Sequence, residues 1–177
     1  MKNRALLIVA VIAGTLLIPT HGSSQDVGAQ QAAVDPLAQF ERLMGGQWHL
    51  EGSYQEFEWG VGRRSVRARS YFLMDGKPKL VSEGIWFWHP GEKQIKGVFT
   101  AIDMPVVFFD YTTRFEGSKM VNDLRSYSAK GTEKVYVETL EFTSDTHFVW
   151  KLLKKTPEGF SEERSEEHTS ELQSRPH

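Results

Sequence analysis

The sequence predicts an all-β fold, an antiparallel up-and-down (meander) barrel of about eight to ten strands with one short N-terminal helix. Three observations predict it. From Gly46 onward the chain falls into runs of about ten residues, several of which alternate apolar and polar side chains. Explicit turn chemistry separates the runs, as in Asp75-Gly76-Lys77-Pro78, Pro90-Gly91-Glu92-Lys93, Glu116-Gly117-Ser118-Lys119 and Ala129-Lys130-Gly131-Thr132. Sequential hairpins of this kind form a meander, and a meander of many long strands removes its exposed edges by closing on itself.

The elements follow in order. Residues 1–24 are expected to be an export signal. Lys2 and Arg4 give a positive start, Ala5 to Ile18 an apolar run, Pro19 a break, and Gly22, Ser23 and Ser24 the small residues of a cleavage region. The run is shorter than the roughly 20 apolar residues that span a bilayer, so no stable membrane insertion is expected after its removal. The protein is therefore expected to be exported, periplasmic or secreted. Residues 25–34 are polar and without period, a flexible spacer. A short helix comes next, with Asp35 as N-cap, Pro36 at the first helical position and Gly45 at the stop. Leu37, Phe40, Leu43 and Met44 form its apolar face, which must plug against something because so short a helix cannot stand alone.

The predicted strands are Gln47–Phe57, Ser65–Met74, Lys79–Trp88, Gln94–Ala101, Val106–Phe115, Met120–Ser128, Lys134–Phe142 and His147–Lys154, with another starting at Phe160. Val107, Phe109 and Tyr111 share one face, opposite Asp110, Thr112 and Arg114. Phe148, Trp150 and Leu152 likewise oppose His147 and Lys151.

The end of the chain has a different character. Arg164 to Ser174 back-translates, with permitted codons, to a string that resembles a common sequencing-library adapter read in frame, and Arg175-Pro176-His177 falls where an index follows. Residues 164–177 are therefore expected to be a non-native tail. The barrel domain is expected to span residues 35–163, its last strand truncated. The acid and histidine pattern of Glu166, Glu167, His168 and Glu171 is set aside from any functional reading.

Composition narrows the function classes. Setting aside Lys2, Arg4, Arg164 and Arg175 leaves 17 of 21 basic residues, and setting aside Glu166, Glu167 and Glu171 leaves 20 of 23 acidic ones, a net −3 over residues 25–163 with histidine neutral. No basic excess is available for nucleic acid. The sequence contains no cysteine, which excludes disulfides, cysteine–zinc sites and thiol catalysis within it. Nothing resembles a nucleophile elbow, a phosphate loop or a dinucleotide fingerprint; Gly60-Val61-Gly62 lacks the following helix that would give it meaning. His49, His89 and His147 have no carboxylate partners at ligand spacing, so no metal site is expected.

With the helix Leu37–Met44 running into Gly46-Gln47-Trp48, and hairpins after it, the chain resembles the lipocalin-like (calycin) barrels, in particular small exported bacterial members of unknown function. The resemblance covers roughly Asp35 to Glu163. It implies that Gly46 and Trp48 form a structural motif closing one barrel end, the tryptophan packing under the helix. A related branch, the nitrobindin-like haem barrels, carries Gly-x-Trp-x-Gly-x-Gly; this sequence has Leu50 where one glycine stands, ahead of Gly52. Those barrels take their iron ligand from a histidine near the C-terminal end. Haem is thus the one cofactor the resemblance raises, and the residues themselves predict none. The cone-shaped α+β barrels would want longer N-terminal helices than this one.

A barrel of this size is either filled by side chains or holds one small ligand. Aromatic content favours a largely apolar small molecule as the partner, with Tyr54, Phe72, Glu83, Trp86, Phe99, Phe109, Tyr111 and Trp150 as candidate ligand-binding residues. One polar group among Glu83, Tyr54 and Tyr111 is expected to fix orientation. Glu83 faces inward if Val81, Ile85 and Phe87 do, and outward if Leu80, Trp86 and Trp88 do; the pattern allows both. The run Gly84–Pro90 is apolar on both faces, and is either covered outside or a partner surface, which keeps an interaction domain among the alternatives. A haem-dependent or other enzyme on the same barrel is the remaining one. Arg67 and Arg69 are read as a solvated outer face, and Asp110 and Arg114 as a possible pair.

Overall fold

A computed structural model describes residues 35–102 and 104–172. The expected signal and spacer, and residues 173–177, lie outside the described residues. Ten strands follow in chain order: β1 Gly46–Leu50, β2 Ser53–Trp59, β3 Ser65–Met74, β4 Lys77–His89, β5 Gln94–Ala101, β6 Phe108–Glu116, β7 Lys119–Tyr127, β8 Glu133–Ser144, β9 His147–Thr156 and β10 Gly159–Leu172. Each pairs antiparallel with the next, and β10 pairs with β1 to close the barrel. The predicted meander is the observed one.

Where the structure differs, local chemistry explains it. The single strand predicted over Gln47–Phe57 is two, because Glu51 and Gly52 make a tight hairpin (Gly52 φ 72°) that sets Leu50 opposite Ser53. Asp75 and Gly76 form the expected turn, both with positive φ, as a two-residue hairpin of the primed type requires. Pro78 is not in that turn but inside β4. It is tolerated because β4 pairs with β5 only from Ser82 onward, so the missing N–H leaves no ladder bond unmade on that side.

The N-terminal turn is a 3-10 helix, Ala38–Leu43. Asp35 does not cap an α-helix there; its carboxylate accepts a hydrogen bond from the Leu37 N–H at 2.9 Å. The predicted apolar face holds. Leu37, Phe40 and Leu43 are essentially inaccessible to solvent, and they plug the barrel end bounded by the β2–β3, β4–β5, β6–β7 and β8–β9 turns. Trp48 completes the plug. Its ring is buried against Phe148 and Phe142, and its indole N–H donates to the Leu43 carbonyl at 3.1 Å, one of the carbonyls a short helix leaves without an internal partner. Gly46 opens β1 two residues ahead of Trp48.

The last strand includes residues of the stretch that resembles adapter. β10 runs to Leu172, and residues 169–172 pair with His49 through Gly46, covering the β1 edge. Residues 164–172, which resemble adapter, therefore occupy the closing position. A ladder is built from main-chain N–H and C=O groups that every non-proline residue carries, so its formation is indifferent to where those residues come from.

Candidate functional site

Above the plug the barrel is hollow. A cavity of about 640 Å³ opens toward the other end, where the β1–β2 hairpin, Ile102 and Met104 frame its mouth. That volume lies in the range of small-molecule pockets.

Two glycine–aromatic pairs shape its wall. Gly84 faces Phe99 across β4 and β5, and Gly97 faces Trp86. A Cβ on Gly84 would lie 2.3 Å from the Phe99 ring, and one on Gly97 would lie 2.6 Å from Trp86 Cδ1. Each ring therefore lies across the glycine of the neighbouring strand, a close approach that any larger residue forbids. Trp86 and Phe99 pack with centroids 4.4 Å apart, and Phe99 and Tyr111 with centroids 4.9 Å apart, giving a continuous aromatic face.

Of the eight residues singled out from sequence, Tyr54, Phe72, Trp86, Phe99, Phe109, Tyr111 and Trp150 border the cavity, and Glu83 does not. Inward positions on β4 are Ser82, Gly84 and Trp86, which settles the alternation and leaves Glu83 exposed on the outer face. Tyr54 touches only the mouth. Its ring stacks on Tyr71 at 4.7 Å, opposite the inward Ser53 and Gln55, so it is not an interior polar group. Phe72 sits at the rim and is half exposed.

The two-faced run on β4 also resolves. Trp86 is interior, packed on Phe40, Phe57 and Phe99, and is not part of an outer surface. The exposed apolar pair on that outer face is Ile85 with Val98. Arg67 and Arg69 are outside as predicted, both paired with Glu58. Arg114 bonds Glu116 and Asp123 rather than Asp110, because Asp123 on the neighbouring strand lies within reach of the guanidinium.

Sequence reasoning missed the polar centre of the cavity, Glu138. Its Oε1 accepts the Trp150 indole N–H at 2.8 Å, and its Oε2 accepts the Asn122 amide N–H at 2.6 Å. Asn122 is fully buried, and its Oδ1 accepts the Thr113 hydroxyl at 2.6 Å. A chain of hydrogen bonds thus crosses β6, β7, β8 and β9 and ends on a carboxylate at the cavity wall. Burial pushes the Glu138 carboxyl above the ordinary carboxylate value, while the Trp150 and Asn122 hydrogen bonds pull it down. Burial also holds the Tyr111 hydroxyl well above the phenol range, and the Glu138 charge adds to it. The signal that could have found Glu138 is its alternation with Leu140 and Phe142, both inward.

β10 contributes Arg164, Glu166 and His168 to the lining, with Arg164 ion-paired to Glu166. Haem would need an inward histidine. His168 is buried and borders the cavity, its pKa lowered by burial to about 4, but its ring stacks on Phe148 with centroids 4.7 Å apart. It also lies in the stretch that resembles adapter. His147 stands outside, its Nδ1 3.2 Å from the Thr169 hydroxyl. Among the described residues no group of three histidines or carboxylates lies together as metal ligands would, and no helix is long and apolar enough to cross a membrane.

Fold and interior together define an up-and-down β-barrel with an internal cavity, consistent with a lipocalin-like architecture. No family model matches the chain, and no curated protein matches it.

Proposed function

We propose that this barrel is an exported binding protein that takes one small, largely apolar molecule into its interior. The observation that carries the reading is the cavity of about 640 Å³ faced by Trp86, Phe99, Tyr111 and Trp150. Its physical basis is simple. Each Å² of apolar ligand surface moved from water onto such walls contributes about 25 cal/mol, before the cost of immobilising the ligand. Export rests on the N-terminal run Lys2 to Ser24.

The test is titration of the 177-residue chain with N-phenyl-1-naphthylamine, a neutral apolar dye, followed by fluorescence. Saturable one-site binding is expected. Ser70→Trp, which places an indole in the cavity from an inward position on β3, should weaken it at least about tenfold while the chain stays folded. Absence of saturable binding, or an unchanged affinity in the folded variant, defeats the reading.

A further inference from the structure

Glu138 is an uncommon group to find in such a wall. A carboxylate among apolar and aromatic side chains is costly unless a cation or several donors compensate it. Its two hydrogen-bond donors, the Trp150 indole and the Asn122 amide, are both neutral, and no basic side chain is paired with it among the described residues. The basic group that does border the cavity, Arg164, is taken up by Glu166. Each carboxylate oxygen carries two lone pairs, and only one on each is occupied by these donors. The group is therefore fixed in place with acceptor capacity left toward the cavity.

The aromatic surroundings match this charge. Trp86, Tyr111 and Trp150 border the same space, and the π faces of such rings attract cations. A fixed carboxylate ringed by aromatic groups is complementary to a protonated amine attached to an apolar body. It opposes a carboxylate or phosphate, whose charge would meet Glu138 without a free cation to screen it.

We infer that the ligand of this cavity is an apolar amine, its ammonium group held by Glu138 and its hydrocarbon or aromatic body against Trp86, Phe99 and Tyr111. This rests on the reading that the cavity takes a ligand. It adds the head group, and so the chemical class.

The experiment compares matched probes that differ only in that group. Decylamine, 1-decanol and decanoate, with 2-(1-naphthyl)ethylamine, 2-(1-naphthyl)ethanol and 1-naphthylacetate as a rigid set, are titrated calorimetrically into the 177-residue chain at pH 7. The amines should bind at least about tenfold tighter than the alcohols, the size of one charge-assisted hydrogen bond, and the acids weakest. Glu138→Gln should bring amine and alcohol affinities to within about threefold while leaving alcohol binding in place. Gln can keep the network, its carbonyl accepting from Trp150 and its amide donating to an Asn122 turned end for end. Equal binding of amine and alcohol, or preference for the acid, overturns the inference and leaves the binding barrel standing. Failure of all six probes removes both. Should Glu138→Gln not fold, the ranking in the unaltered chain decides alone.

Discussion

Gly97→Ala is a small change whose consequence the packing dictates. The backbone of Gly97 lies in the ordinary extended region, so Ala is conformationally allowed and by itself would stabilise by about 0.4–1 kcal/mol through the unfolded chain. The space is not there. The added methyl would lie 2.6 Å from Trp86 Cδ1, 2.9 Å from Nε1 and 3.1 Å from the Ile85 carbonyl oxygen. Trp86 can give way only toward the cavity it borders, since elsewhere its ring is held among Phe40, Phe57, Phe99 and Tyr111. Overpacking of this kind costs about 1–3 kcal/mol, so the net loss should be about 1–2 kcal/mol. With a urea dependence of about 2 kcal/mol per molar, the unfolding midpoint should fall by roughly 0.5–1 M. Urea denaturation followed by tryptophan fluorescence measures it, and dye titration of the same protein should show weakened binding as the ring moves into the cavity. A midpoint equal to or above that of the unaltered chain would refute the reasoning, because it would mean that Trp86 does not lie against Gly97.

Two further outcomes follow from the same geometry. Because burial raises the folded-state pKa of Glu138 above its unfolded value, its contribution is fully present below the unfolded value and lost as pH rises through the folded one. Its hydrogen-bond donors, Asn122 and Trp150, are neutral, and Tyr111 from β6 with Arg164, Glu166 and His168 from β10 border the same cavity. The stability of Glu138→Gln relative to the unaltered chain should therefore climb from about pH 4.5 upward, by at most about 1.4 kcal/mol per pH unit, then level off; a difference independent of pH from 4 to 8 would show the carboxylate to be well solvated. A chain ending at Glu163 loses the residues that pair with β1 and six of the positions paired to β9, from Arg164 to Thr169. It should aggregate through the exposed edge, and a soluble monomer with a cooperative melt would contradict that.

Trp48, Phe148 and Gly52 show how far the sequence can be read. Short-range rules act on neighbours in the chain, so the alternation of Phe148, Trp150 and Leu152 was enough to orient β9. Turn chemistry placed most hairpins, with predicted strand ends within two residues of those observed except where Gly52 divided the first strand and where the last ran on to Leu172. The apolar face of Leu37, Phe40 and Leu43 was enough to make the helix a plug. Glu83 and Glu138 mark where this stops. Both lie on strands that carry apolar groups on each face, so alternation makes each a candidate for the inside and leaves the choice to tertiary pairing.

The sequence by itself determined the all-β meander, the apolar face of the short N-terminal helix and the supply of aromatic groups, because those depend on residue spacing and on turns. Only the tertiary structure decided which face of β4 looks inward, that the interior is hollow, and that Asn122, Glu138 and Trp150 meet. These three lie on strands brought together by registers that no local rule fixes, and a hydrogen bond between β8 and β9 exists only once the barrel has closed around it.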